Sequence, residues 1–324
     1  MAENTTGRIA RVNPAAQARQ AQTTKAPAQP KKELSQEQII ANATAPKQND
    51  FRSATGGAYE PVLITETCHL PSRGLLYGSA LGDTIELRAM TTIEERMRLS
   101  GENFWSTMAA ILNRCKVNTD FDVKNMVDFD FFAALVKLRI ISYGNNYRTH
   151  SKCFVCGKEQ DVDVNLDECR VTELPDNFEE PFVIGPLPIS GDVLECRFMR
   201  VFDHIDIYEK VTDWKRKHPK DTLNNPEYTL LMEHAIVTVN GVNLNEFQKK
   251  KYVENMVGAD SSYYHDEYQE MFYGLHRIGT STCEETDCGS AVIYEIAPSE
   301  NFFRATPLTN KRSKSEDAEV QQDS

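Results

Sequence analysis

Residues 153–166 read CFVCGKEQDVDVNL, and residues 280–296 read TSTCEETDCGSAVIYEI. Each stretch places two cysteines on a short turn, followed by a glycine and then by a segment with strand-like alternation. Two thiolates on one turn suit a tetrahedral zinc ion with Zn–S bonds of about 2.3 Å, and the glycine lets the backbone bend towards the sulfurs. The two stretches therefore predict one structural zinc site with four ligands: Cys153, Cys156, Cys283 and Cys288.

Such a site would join two remote parts of the chain as an interrupted zinc ribbon, so that metal binding contributes to folding. Four thiolates leave no open position for water or substrate, which favours a structural role over catalysis. The alternative is that the two pairs stay apart and that the C-x-x-C pair is a redox dithiol. In thioredoxin-like proteins that motif opens a helix, whereas the residues on both sides of Cys153 and Cys156 are typical of strands.

The second cysteine turn is unusually acidic for a metal site. Glu284, Glu285 and Asp287 add negative charge beside a centre that four thiolates and one Zn²⁺ already make doubly negative. We expect a nearby basic residue to offset this charge, and three residues are candidates: Lys152, Lys158 and Arg277. One of the three acids, or His150, remains an alternative ligand.

The composition is that of a globular protein, since 40% of the 324 residues are hydrophobic and 26% are charged. The sequence has no apolar run of membrane-spanning length and begins without the apolar core of a secretory signal, so we expect a soluble protein that is not exported. A chain of this size does not need disulfides, which favours metal binding or burial for its eight cysteines. Four of them occur singly and are predicted to be buried free thiols: Cys68, Cys115, Cys169 and Cys196.

Composition divides the chain into three parts. Residues 1–58 are rich in Ala, Gln, Thr and Pro and read as a disordered N-terminal arm, because they offer too little apolar surface to offset the entropy of ordering. Residues 59–306 form the predicted body, which contains the zinc ribbon. Residues 307–324 are polar throughout and read as a disordered C-terminal tail.

The charge distribution disfavours nucleic acid as a partner. The formal net charge is -12, and the body alone is still more acidic, because the arm has an excess of lysine and arginine. A phosphate backbone would repel such a body. A zinc-ribbon nucleic-acid-binding protein or transcription factor remains the alternative function, and its phosphate contacts would have to come from three residues of the arm: Arg8, Arg11 and Arg19.

Apolar spacing predicts an α+β fold in which β-hairpin elements and the interrupted ribbon pack with several helices. A hairpin is expected before residue 90, and a capping box of Thr92 and Glu95 is expected to open the first helix. A later helix is expected to have Asp128 or Asp130 as its cap and to stop at Gly144. The predicted helices span 104–115, 128–143, 203–217, 227–239, 245–257 and 260–278, and further strands are predicted at 162–166, 181–187 and 192–199.

No catalytic signature occurs in the sequence, which lacks H-E-x-x-H, G-x-S-x-G, P-loop and G-x-G-x-x-G motifs, so we do not predict an enzyme. One aromatic group has two interpretations, a docking surface or part of the core. Its members lie at helical spacing, with one tryptophan upstream: Tyr263, Tyr264, Tyr268, Phe272, Tyr273 and Trp214.

The order of several short motifs resembles the baseplate hub and tail-assembly proteins of T4-like contractile-tailed bacteriophages. The motifs are LPSRGLLYG, ELRAMTTIEE, LRIISYGNNY, CFVCGKEQDVDVNL and CEETDCGSAVIYEIAPSENFF, and they cover about residues 59–305. The resemblance implies a structural protein, either a hub component or an assembly chaperone, whose partners are other tail and baseplate hub proteins. It further implies assembly in the host cytoplasm, and a place in the virion if the protein is retained. Neither stoichiometry nor oligomeric state follows from it.

Overall fold

The computed structural model describes residues 63–221, 223–297 and 302–303. The predicted arm at 1–58 and tail at 307–324 lie outside these residues, so both remain predictions. The helices of the described part are α1 (Thr92–Ser100), α2 (Phe104–Cys115), α3 (Asp128–Tyr143), α4 (Val201–Lys217), α5 (Glu227–Ala235), α6 (Glu246–Glu254) and α7 (Gly258–Glu270). The strands are β1 (Thr65–His69), β2 (Thr84–Arg88), β3 (Lys116–Val117), β4 (Asn146–Lys152), β5 (Glu159–Asn165), β6 (Val171–Thr172), β7 (Phe182–Ile184), β8 (Leu194–Cys196), β9 (Ile236–Val239), β10 (Val242–Asn243), β11 (Gly274–Leu275), β12 (Ile278–Thr282) and β13 (Ala291–Glu295).

The strands form small antiparallel sheets rather than one large sheet. The first has the order β1-β2-β3 and the largest has the order β10-β9-β8-β7. The remaining strands pair as β4-β5, β6-β11 and β12-β13. The predicted α+β class is therefore confirmed.

Helix α3 lies at the centre of the largest core. Phe131, Leu135 and Leu138 are fully buried, and the helix packs against β1, β2 and α2. It ends at Gly144, whose φ of 87° is costly for any residue with a side chain, which explains the predicted stop. The same core includes residues of β4 and β5 and also Ile296, which directly follows β13. Both cysteine-bearing hairpins are therefore anchored on this core.

A second core lies between the four-stranded sheet and the later helices. Buried residues of β7, β8 and β9 contact Val253 of α6 and Tyr264 of α7. The predicted aromatic group divides here: Tyr264 is buried, and Tyr263, Tyr268 and Tyr273 pack against the same core. Phe272 is exposed, so the core interpretation holds for most of the group.

A buried carboxylate ties the LPSRG loop to the start of α3. Asp130 is fully buried and accepts hydrogen bonds from the Ser72 N–H at 2.8 Å and from the Tyr77 hydroxyl at 2.6 Å. Val127 is the N-cap residue of α3 and makes no side-chain cap, so the predicted capping by Asp128 or Asp130 is wrong. Burial raises the pKa of Asp130 to about 6, although both hydrogen bonds oppose the shift.

We expect this carboxyl group to make stability depend on pH. Because its pKa is higher in the folded chain than the ordinary value of about 3.9, its contribution is fully present below pH 4 and is lost as the pH rises through 6. Between pH 4.5 and 7.5, the unfolding free energy of the wild type should fall relative to that of Asp130→Asn by about 2 kcal/mol. Denaturant titrations of both proteins at the two pH values measure the difference, and parallel pH profiles would contradict the assignment.

The first helix begins one residue earlier than predicted. Thr91 is its N-cap residue, and the Glu94 carboxylate accepts from the Thr91 N–H at 2.9 Å. Two threonines and two glutamates are adjacent here, so Thr91 with Glu94 and Thr92 with Glu95 have the same capping-box spacing. Glu94 is buried, and its Oε1 atom lies 3.0 Å from a guanidinium nitrogen of Arg88 and 3.0 Å from one of Arg114. These two ion pairs favour Glu94 over Glu95 as the capping-box residue.

The other element bounds depart from prediction mainly at helix ends. Helix α4 begins two residues before Asp203, whose carboxylate accepts from the Arg200 N–H at 2.7 Å. Residues 236–239, predicted as helix, form strand β9 in the interior of the four-stranded sheet. Helix α7 ends at Glu270, and part of the remaining predicted helix forms β11. Both errors lie where a helical apolar pattern runs on into a strand.

Candidate metal centre

The first cysteine pair lies on the turn of the β4–β5 hairpin. The strands pair from Asn146 with Asn165 to Lys152 with Glu159, so Cys153 and Cys156 follow directly at the tip. The turn closes with hydrogen bonds from the Gly157 N–H to the Cys153 carbonyl at 2.9 Å and from the Cys153 N–H to the Lys158 carbonyl at 2.8 Å. Gly157 has a φ of 76°, which is the conformation that the predicted glycine makes available.

The second pair lies on the turn of the β12–β13 hairpin, which has the same arrangement of cysteines and glycine. Thr282 pairs with Ala291 at the end of the ladder, and the Cys283 N–H donates to the Ser290 carbonyl at 2.8 Å. Gly289 has a φ of 55°. We call these turns the first knuckle (residues 153–157) and the second knuckle (residues 283–289).

The structure brings the two knuckles together. The sulfurs of Cys153 and Cys288 are 3.8 Å apart and those of Cys156 and Cys283 are 3.6 Å apart. All four sulfurs lie within 4.8 Å of one another. A disulfide would need about 2.05 Å, so these pairs are not oxidised to disulfides in this arrangement.

The sulfur geometry fits a tetrahedral metal ion. Four Zn–S bonds of about 2.3 Å place sulfurs about 3.8 Å apart, which agrees with the separations of 3.8 Å for Cys153 and Cys288 and 3.6 Å for Cys156 and Cys283. Cys153 and Cys283 are buried, Cys288 is half-buried and Cys156 is exposed. The cluster can therefore bind a metal with four protein ligands, two from each hairpin.

Backbone and hydroxyl donors surround the sulfurs. The Ser290 hydroxyl lies 3.1 Å from the Cys153 sulfur and 3.0 Å from the Cys288 sulfur. The Cys156 N–H and the Ser290 hydroxyl lower the pKa of Cys153 to about 6, and Ser290 also lowers the pKa of Cys288. The Glu285 N–H acts on Cys283 in the same direction, but burial and the neighbouring thiols raise the pKa of Cys283 overall. A bound cation would favour the thiolate form of all four cysteines.

A buried glutamine joins the two hairpins beside the sulfurs. Gln160 of β5 is 5% exposed, and its side-chain amide donates to the Thr282 carbonyl at 3.0 Å. Its side-chain oxygen accepts from the Glu284 N–H at 2.9 Å. These contacts hold the backbone on both sides of Cys283, so the second knuckle is positioned by protein contacts as well as by its sulfurs.

One of the predicted basic residues compensates the acidic turn. Lys158 forms an ion pair with Glu285 at 3.1 Å. Arg277 lies instead over the ring of Phe132, at 5.2 Å from its centroid. His150 contacts the carboxylates of Glu159 and Asp161 on the exposed face of β4–β5 and is not among the clustered groups.

The four single cysteines lie outside the cluster. Cys68, Cys115 and Cys196 are buried as predicted, while Cys169 is half-buried. Burial raises the pKa of each of the three buried thiols to about 12, which keeps them in the unreactive thiol form.

Sequence reasoning missed Gln160 and Ser290, which complete the site. Gln160 follows the first knuckle at an inward-facing position of β5, where a polar residue in an alternating strand is the available signal. Ser290 follows the second glycine directly, but a serine in a turn has many ordinary explanations.

A comparison with known protein families agrees with the resemblance inferred from the order of the sequence motifs. A family model described as T4 bacteriophage base plate protein matches residues 63–304. No curated protein and no solved structure gives a significant match. Among the helices that the structure describes, none is long and apolar enough to cross a membrane. The matched region is most of the chain and confirms the predicted relationship, so this protein belongs to the family of T4 bacteriophage base plate proteins.

Proposed function

We propose that this chain is a hub component or an assembly chaperone of the baseplate, and that a zinc ion bound by Cys153, Cys156, Cys283 and Cys288 clamps its two hairpins. The observation that carries this proposal is the convergence of four sulfurs from turns 127 positions apart. Four protein ligands leave the ion no open position, which supports a structural role without enzymatic activity. The chain would then act by recognising other baseplate proteins during assembly in the host cytoplasm.

The surface of the site argues against the alternative of nucleic-acid binding. The second knuckle exposes Glu284, Glu285 and Asp287, and only Glu285 has an ion-pair partner within the described part of the chain. Lysine and arginine contacts to phosphate provide most non-specific nucleic-acid affinity, and an acidic turn cannot supply them.

Quantitative mass spectrometry of purified baseplates and of finished virions tests the role. A hub component would be present in both at a fixed ratio to the other baseplate proteins. A chaperone would be present in assembly intermediates and absent from virions. If the chain is missing from baseplates and from their precursors alike, the proposed function is wrong.

The Gln160 contacts give a specific prediction for metal affinity. Gln160→Met keeps the side-chain length but loses both hydrogen bonds to the second knuckle. Groups that position metal ligands typically affect affinity by 10- to 100-fold, so we expect zinc to bind about 10- to 100-fold more weakly. Competition with a chromophoric chelator measures this change.

The matched control is Gln269→Met, which alters an exposed glutamine of α7. We expect its zinc affinity to equal that of the wild type. Equal affinities for Gln160→Met and the wild type would show that the second knuckle does not depend on this glutamine.

A further inference from the structure

The first knuckle ends in two large apolar side chains that no other part of the described chain covers. Phe154 is 82% exposed and Val155 is 76% exposed. They lie between Cys153 and Cys156, where the sulfur geometry constrains the backbone but not the intervening side chains. Exposed apolar side chains that lie together within a polar rim are a feature of protein interaction sites.

The backbone that presents these side chains is held in place. The turn is closed by the Gly157 N–H and the Cys153 N–H, and its sulfurs contact those of the second knuckle. A rigid turn loses little conformational entropy when a partner binds, so it can present an anchor residue at low cost. The geometry thus favours recognition by a preformed tip.

The neighbouring surface is acidic. Glu284, Glu285 and Asp287 are exposed on the second knuckle, and Lys158 pairs with Glu285. Lys152, directly before the first knuckle, is also exposed, so these three acids outnumber the two lysines. Four thiolates around one Zn²⁺ would add two further negative charges. The apolar tip therefore lies beside a surface that attracts positive charge.

We propose that Phe154 and Val155 form a docking tip that inserts into an apolar socket bordered by lysine or arginine on another baseplate protein. Aromatic side chains in apolar pockets are typical anchors of protein interfaces, and complementary charge around them fixes the orientation. This inference rests on the proposed baseplate function and names the kind of partner surface.

The charges argue against two other binding partners for the tip, a second copy of this chain and a lipid bilayer. Contact between the tips of two copies would oppose like charges, and the whole chain has a formal net charge of -12. Insertion into a bilayer would bring the acidic turn towards an anionic lipid surface, which repels it.

Complementation tests the tip in the full-length chain. Host cells carrying plasmid-borne variants are infected with phage whose own copy of the gene is disrupted, and infectious particles are counted. The double variant Phe154→Ser, Val155→Ser should lower the yield about 10-fold, because the loss of an interface anchor typically weakens binding by about 10-fold or more and assembly would depend on that binding. Its zinc content and unfolding midpoint should equal those of the wild type, since neither side chain packs in the core.

Two further variants separate the tip from a general surface effect. Leu223→Ser removes a side chain that is 92% exposed elsewhere and should leave the yield unchanged. Glu284→Lys with Asp287→Lys should lower the yield, because it reverses the charge beside the tip. A wild-type yield from the double serine variant overturns the docking tip. Failure of the wild-type plasmid itself to restore the yield overturns the proposed function.

Site-specific cross-linking identifies the occupant in the same cells. Phe154→benzoylphenylalanine should form a light-dependent cross-link to a baseplate protein at a segment containing lysine or arginine, and Leu223→benzoylphenylalanine should not. Cross-links only to a second copy of this chain, only to lipid, or to no molecule at all would each overturn the assignment.

Discussion

Replacing Cys283 by serine should abolish zinc binding and lower the stability of the chain. The substitution removes one of the two proposed ligands of the second knuckle, and three remaining sulfurs would bind zinc far more weakly than four. With free zinc at 1,000 times the dissociation constant, binding to the folded state alone stabilises by about 4 kcal/mol. We therefore expect Cys283→Ser to unfold at a lower denaturant concentration by an amount equivalent to about 4 kcal/mol, and to be insensitive to chelator.

The matched control is Cys169→Ser, because Cys169 is half-buried and lies outside the sulfur cluster. It should retain zinc and should lose stability on treatment with chelator, as we also expect of the wild type. If the wild type does not respond to chelator, or if Cys283→Ser retains its zinc, the clamp between the hairpins is wrong.

A second large effect is expected at the start of α4. Asp203 is fully buried and accepts two hydrogen bonds from Arg197, both at 2.7 Å, and one from His234 at 3.0 Å. Burial alone would raise the pKa of Asp203, but the bonds from His234 and Arg197 outweigh it and hold the pKa well below its usual range. Removing one partner of a buried ion pair leaves the other uncompensated, so Asp203→Ala should cost about 3–5 kcal/mol of unfolding free energy.

Asp213→Ala is the control on the same helix. Asp213 forms exposed ion pairs with Lys217 and Arg216, and such pairs contribute little. We expect no measurable change in its denaturation midpoint. Because the pKa of Asp203 is depressed, its contribution is present above about pH 4 and is lost as the pH falls further, so the two variants should become more alike in acid. Equal stability of both variants at pH 7 would contradict the role of the buried network.

The sequence was most informative at turns whose backbone conformation requires glycine. The two cysteine turns were recognisable because each carries a glycine directly after its second cysteine, and both glycines have a positive φ. The stop of α3 at Gly144 follows from the same property. Spacing alone could not show that the two turns meet, since their contact depends on the body between them.

Helix ends were less predictable because tertiary pairing decided them. The segment Ile236–Val239 continues an apolar helical pattern, but its β-branched residues form a strand between β8 and β10. The start of α1 was ambiguous because two registers of Thr and Glu are equivalent in sequence. Burial of Glu94 between two arginines favours one of them, and this environment is visible only in the structure.

The supporting contacts of the sulfur cluster were beyond sequence reasoning. Gln160 contacts a turn that lies more than 120 positions away, and a glutamine in a strand gives no sign of such a partner. The same holds for Lys158, one of three equivalent candidates until the structure placed it beside Glu285. The contacts of Gln160 and Lys158 join residues that are remote in sequence, so only the folded structure reveals them.

X-ray absorption at the zinc edge, with the metal content per chain measured on the same purified sample, tests whether one zinc ion joins the two hairpins. We expect about one zinc per chain, surrounded by four sulfurs at about 2.3 Å. Cys283→Ser should lose this signal, and Cys169→Ser should keep it. A zinc-free chain, or zinc bound through oxygen or nitrogen ligands in place of sulfur, would contradict the clamp that joins the two hairpins.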